Sequence, residues 1–107
     1  MRRGDIVAVV LPSAYGKARL ALIIQSDLFD EHPSITVLPI TSHLRDTPLF
    51  RLALEATPEN GLEKSNQIMV DKVQTLPRDK VGRVIGHLND HRMVEVNRVL
   101  AVFLGLA

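Results

Sequence analysis

Three polar side chains stand at the ends of apolar runs or interrupt them. Arg19 opens "RLALIIQS" (19–26), Thr41 closes "SITVLPIT" (34–41) with Ser42 beside it, and Asp71 breaks "QIMVDKVQT" (67–75). Singly, each has an ordinary structural reading. Threonine is a common strand residue, an arginine at a strand edge snorkels to water, and an aspartate turns to solvent because burying it unpaired is costly. Together, a guanidinium, a hydroxyl and a carboxylate are the groups needed to hold and cleave a phosphodiester. In RNA the nucleophile is already in the substrate: the 2′-hydroxyl attacks the neighbouring phosphorus once its proton is removed and the charge on the phosphorane is neutralised. Arginine offers a planar fork that matches phosphate oxygens and keeps its charge across the working pH range. The same property makes it a poor proton donor, so this set of residues does not identify the general acid.

Other chemistries find little support. The sequence holds no G-x-S-x-G, P-loop, H-E-x-x-H or dinucleotide fingerprint. His32, His43, His87 and His91 lack acidic or cysteine partners at ligand spacing, and His87 and His91 straddle a predicted strand-to-helix junction, so no metal site is expected. The absence of cysteine excludes a disulfide framework, a zinc–thiolate site and a cysteine nucleophile, and suits a reducing cytoplasm. Arg2 and Arg3 precede an apolar run, but Asp5 interrupts it and residues 6–11 are too few for a signal peptide or a membrane span. A net charge of +1 does not announce a nucleic-acid binder. The charge is uneven, however: Arg2, Arg3, Lys17 and Arg19 face only Asp5 in the first twenty positions, whereas "SDLFDE" (26–31) is acidic. A local basic edge follows.

A chain of 107 residues with 46% apolar content is expected to form one domain, 1–107, with its own core. Val-, Ile- and Leu-rich runs at 5–11, 19–26, 34–41, 49–56 and 67–75, separated by Pro- and Gly-containing turns, predict strands. Pro39 inside its run predicts a sheet edge or a bulge. After Pro77 the sequence predicts a helical turn and a short strand. Asp90 caps or charges the start of a helix over about 90–104, with Met93, Val96, Leu100 and Phe103 at spacings of three and four. The second half of that helix is apolar almost all round, which calls for a second buried face, either a homodimer contact or a deep position in its own core. The expected fold is mainly β with a C-terminal α-helix, an antiparallel, partly closed SH3-like barrel. Such a fold does not identify function.

Four blocks carry a resemblance that spans essentially the whole chain. "RGDIVAVVLPSAYGKARLALIIQSD" resembles the N-terminal block of the MazF/PemK toxins, "ITVLPITSHLRD" their third-strand block, and "SNQIMVDKVQTLPRDKVGRVIGHLND" with the apolar terminal helix is similar to the remainder. The resemblance implies the toxin of a type II toxin–antitoxin pair, a homodimeric endoribonuclease that cuts single-stranded RNA at a short sequence without metal or other cofactor. It places catalytic roles on Arg19, Thr41 and Asp71, leaves a cyclic phosphate and a 5′-hydroxyl, and makes Tyr15, Lys17, Ser42, His43 and Gln67 candidate RNA contacts. A cognate antitoxin partner is likewise implied, and no membrane. The family's Arg-Pro at the strand head is Arg19-Leu20 here, a modest loss of preorganisation because a strand residue is extended without proline. The alternative is a non-catalytic toxin of the CcdB kind that binds gyrase or another protein, for which the Arg19 and Thr41 pair is not required. A peptide-binding SH3-like module fits less well, since few aromatic residues are available for a proline-rich ligand.

Overall fold

The computed structural model describes residues 1–11 and 17–107. Strands β1 (Asp5–Val10), β2 (Ala18–Ile23), β3 (Ser34–Thr41), β4 (Arg51–Leu54), β5 (Asn66–Met69), β6 (Gln74–Pro77) and β7 (Val81–His87) precede one helix, α1 (Asp90–Phe103). The strands form one antiparallel sheet in the order β4-β5-β3-β2-β1-β7, with β6 also paired to β3. Both faces of its centre are covered. Ile6, Leu22, Leu38 and Ile40 pack with Met93 and Val96 of α1, while Val7, Val9, Ala21, Ile23, Ile35 and Val37 form a second cluster. Side chains alternate between faces along a strand. Two buried faces therefore account for the continuous apolar runs of β1 to β3, where a half-exposed sheet would alternate.

The run 67–75 is not one strand, as the sequence suggested. β5 and β6 both pair with β3, and a 3-10 turn, Val70–Lys72, separates them. Ile40 pairs with Ile68, so a continuous register would set Asp71 opposite Val37; the observed partner of Val37 is Gln74. The turn absorbs that slip of three residues, and Asp71 consequently lies in the turn and not in a strand. Pro39 explains why the ladder can step there. It lies in the central strand, not at an outer edge, opposite Ala21. Ile24 N donates to Thr36 O at 3.2 Å, and hydrogen-bonded pairs alternate in an antiparallel ladder. Ala21–Pro39 is thus a non-bonded pair, and the position lacking an N–H faces away from β2, toward the gap between β6 and β5.

The 3-10 turn Arg78–Lys80 and β7 follow the expected order after Pro77. Asn89, not Asp90, caps the helix: its side chain accepts from Arg92 N at 2.9 Å, and Asp90 occupies the first turn. Met93 and Val96 are buried and Leu100 is half-buried, but Phe103 is exposed with Val94, Val102, Leu104 and Leu106. The apolar second half of α1 is therefore not sunk in its own core. At the other side of the sheet, the β4–β5 connection closes on β7. His87 N donates to Glu59 O at 2.9 Å, and Gly61 and Gly86 let the two backbones touch: a Cβ on Gly61 would meet Ile85 O at 2.1 Å and one on Gly86 would meet Asn60 O at 2.0 Å. Among the described residues, no helix is long and apolar enough to cross a membrane.

Candidate active site

The β2–β3 ladder ends at Leu20–Ile40. The next residue outward on each strand is Arg19 and Thr41, so the two face each other at the mouth of the ladder, on the sheet face opposite Ile40. The row continues across the sheet, because Thr41 pairs with Gln67 and Gln67 with Ala53. Arginine and threonine are thus delivered to one spot by rigid paired backbone, not by loops. Arg19 pairs with Val9 of β1, which fixes its Cα from that side.

The Arg19 guanidinium is exposed, and its one contact among the described residues is a long bond from Nη1 to Ala18 O at 3.4 Å. It has no acidic partner among them. Its charge and its fork are therefore available to an anion. Thr41 is half-buried, and its Oγ1 accepts from His43 N at 3.0 Å. A hydroxyl carries one proton and two lone pairs; this bond occupies one lone pair and leaves the proton to be donated. Arg19, Thr41 and Ser42 line an open cleft of about 1010 Å³ together with Glu63, Lys64 and Arg83. Three cations against one carboxylate give the cleft a positive field, suited to a phosphate backbone.

The remaining predicted site residues divide. Ser42 lines the cleft, and Lys17 is exposed just before β2. His43 is exposed in the turn after β3, with its backbone amide on Thr41. Tyr15 lies outside the described residues. The side-chain amide of Gln67 is engaged within the protein: Oε1 accepts from Arg45 N at 3.0 Å and from Arg51 Nη1 at 3.1 Å, and Nε2 donates to Arg45 O at 2.8 Å. Asp71 is not brought to the cleft wall with Arg19 and Thr41. It sits in the 70–72 turn that packs on α1, its Oδ2 is 4.0 Å from Lys72 Nζ, and its Oδ1 is buried without a hydrogen-bond partner. Among the described residues, no three His, Asp or Glu side chains converge as a metal site would require. Lys64 and Arg83 carry no motif that marks them in the sequence. They reach the cleft because the Gly61–Gly86 crossing lays the β4–β5 connection on β7, a contact between segments far apart in the chain.

The sequence and fold of the chain have known relatives. A "Probable endoribonuclease MazF" of Mycolicibacterium smegmatis is 46% identical over 108 residues, covering 100% of this chain and 99% of the relative. The solved structure of the Mycobacterium tuberculosis toxin MazF-mt6 superposes with a TM-score of 0.83 at 26% identity, covering 96% of this chain and 98% of that one. An endoribonuclease from a mycobacterial species, solved with its cognate antitoxin, shares the fold at a TM-score of 0.82 and 23% identity over 100% of this chain and 97% of that one. Residues 2–104 match a whole-length family description, and the chain belongs to that family, the PemK-like, MazF-like toxins of type II toxin–antitoxin systems.

Proposed function

We propose that this toxin is an endoribonuclease that cuts single-stranded RNA where the β2–β3 ladder ends. The observation that carries the reading is the exposed Arg19 guanidinium, without an acidic partner among the described residues, at the strand end next to Thr41, a pair that a toxin acting only by binding a protein has no need of. Arg19 takes two oxygens of the scissile phosphate in its fork. The 2′-hydroxyl gives up its proton to solvent as its oxygen forms a bond to phosphorus, charge builds on the non-bridging oxygens, and Arg19 with the Thr41 proton stabilises it there. The P–O5′ bond then breaks, leaving a 2′,3′-cyclic phosphate and a 5′-oxygen that takes up a proton. No step requires a metal ion, because the guanidinium supplies the positive charge. Lys64 and Arg83 hold the flanking phosphates. Asp71 is better placed to support the turn against α1 than to move a proton at the cleft.

Two partners complete the reading. The exposed apolar end of α1 packs against a second copy of the chain. A cognate antitoxin, whose acidic segment mimics the phosphate backbone, occupies the basic cleft; the family is defined by such pairs. The deciding experiment maps the ends produced from a long, weakly structured RNA in EDTA, with wild type beside Arg19→Ala. Discrete cuts sharing a short sequence and absent with the folded variant are expected. Equal cutting by Arg19→Ala would refute the site, whereas no cuts by folded wild type would favour a toxin that acts by binding a protein such as gyrase.

A further inference from the structure

We infer that Arg51 and Gln67 are positioning residues for the cleavage reaction, clamping the 42–46 turn so that the Thr41 hydroxyl is held by the His43 amide and keeps its own proton for the substrate. This inference rests on the ribonuclease reading above. The turn hangs from the end of β3 and has no ladder partner of its own, yet its backbone is held at three successive points. Thr41 Oγ1 accepts from His43 N at 3.0 Å, Arg51 Nη1 donates to His43 O at 3.0 Å, and the Gln67 amide takes both backbone groups of Arg45, N at 3.0 Å and O at 2.8 Å. Arg51 Nη1 also donates to Gln67 Oε1 at 3.1 Å, which joins the two clamping side chains.

Both clamps stand on paired strands. Gln67 lies between Thr41 of β3 and Ala53 of β4, and Arg51 pairs with Met69 one ladder step beyond, so Thr41, Gln67 and Arg51 share one sheet face. Gln67 uses two acceptor sites and one donor, a set that neither a carboxylate nor an alkyl chain reproduces. The orientation of His43 N relative to Thr41 follows from these bonds, because His43 O and both polar groups of Arg45 are fixed. Without the clamp the turn is free to shift, the Thr41 hydroxyl loses the donor that fixes its orientation, and its proton is no longer held ready for the developing charge, so the donor is less preorganised for the transition state. Arg51 is not among the residues lining the cleft, and its side-chain hydrogen bonds among the described residues go to His43 O and Gln67, so its effect on the chemistry passes through the turn.

The test measures single-turnover cleavage of a short RNA under enzyme excess for wild type, Arg51→Ala, Gln67→Ala, Gln67→Glu and Thr41→Ala, and for Arg51→Ala combined with Thr41→Ala. Circular dichroism and thermal melts establish folding. Arg51→Ala and Gln67→Ala are expected to slow the chemical step 10- to 100-fold with half-saturation changed less than about threefold, and Gln67→Glu, which keeps the acceptor but loses the donor, to fall between. The decisive expectation is that Arg51→Ala costs nothing further in the Thr41→Ala background, because both act through one hydroxyl. Full independent losses in the double variant would overturn the inference, as would unchanged rates in folded Arg51→Ala and Gln67→Ala. If Arg51→Ala does not fold, Gln67→Ala in the Thr41→Ala background carries the same comparison. Wild-type cleavage that Arg19→Ala abolishes but the clamp variants leave intact would overturn this inference alone. Absence of wild-type cleavage would refute the ribonuclease reading instead.

Discussion

Arg19 and Thr41 face each other one residue beyond the last pair of the β2–β3 ladder, Leu20 and Ile40. Behind them the backbone is paired on both sides, and in front of them is open cleft. A planar fork at this point has two parallel N–H groups for two phosphate oxygens, whereas an ammonium is a single point charge. Arg19→Lys is therefore expected to keep the charge and lose most of the rate, by about 100-fold or more. Thr41→Ser keeps the hydroxyl and should stay within about tenfold of wild type, while Thr41→Val, of similar volume, should lose on the order of 100- to 1000-fold. Single-turnover cleavage of a short RNA checks all three. Full activity in Thr41→Val would remove the hydroxyl from the mechanism.

The Asn60 carbonyl lies so close to Gly86 that a methyl group there would meet the oxygen at 2.0 Å and its carbon at 2.1 Å. Both contacts are with backbone, which cannot swing aside as a flexible side chain would. The Asn60 loop is itself braced, since its Oδ1 accepts from Thr57 N and Leu62 N at 3.0 Å and its Nδ2 donates to Glu55 O at 2.8 Å. Gly86→Ala is accordingly expected to destabilise by about 3 kcal/mol or more, lowering Tm by over 10 °C. Gly105 supplies the contrast: it has φ +76° but open space around it, so Gly105→Ala should cost only about 1 kcal/mol of backbone strain. Thermal and urea melts of the two variants side by side check the difference. Equally small losses would mean that the crossing yields to the added methyl group at Gly86.

Most of the strands and the terminal helix are legible in the runs of apolar residues and the turn formers between them, but the division of 67–75 into two strands is not. Arg19 and Thr41 are legible for the same reason, because each marks the place where an apolar run begins or ends. Asp71 is not, since its position depends on β3 pairing with β6 along one half and β5 along the other, a division that no local pattern records. Asn89 and Asp90 are both good helix starters, and only the bond from Arg92 N to the Asn89 side chain decides between them. Lys64 and Arg83 read as ordinary surface cations until the glycine crossing brings their segments to one cleft. Gln67 is a candidate RNA contact through the family resemblance alone, and its partners within the protein appear only once the 42–46 turn is folded back on it.

Val102 is 60% exposed, Phe103 46%, Leu104 50% and Leu106 77%, all at one end of α1. Burying apolar area of that kind contributes about 25 cal/mol per Å², so a second copy seated there gains substantially from each side chain covered. The toxin is expected to sediment as a dimer at micromolar concentration, and Phe103→Asp with Val102→Asp to sediment as a folded monomer. The substitutions lie beyond the buried Met93 and Val96, so the fold itself should persist. Wild type that remains monomeric at tens of micromolar would leave this end of the helix without the partner proposed for it.

Lys64 and Arg83 separate electrostatic holding from chemistry. They line the same cleft as Arg19 but stand on a loop and a strand that do not belong to the β2–β3 ladder. A cation that neutralises one phosphate of a single strand releases condensed counterion and contributes about 0.7 to the slope of log K against log salt. Lys64→Ala and Arg83→Ala are each expected to lower that slope by about this amount, and the double variant by about twice as much. The measurement uses an RNA carrying a 2′-deoxy sugar at the cut, which binds but cannot be cleaved, titrated between 50 and 300 mM salt. Cleavage at saturating RNA should change less than about threefold, because neither residue reaches the scissile phosphate. A slope that Lys64→Ala and Arg83→Ala both leave unchanged would mean that the strand leaves the cleft before reaching them, and would confine the phosphate contacts to the Arg19 side.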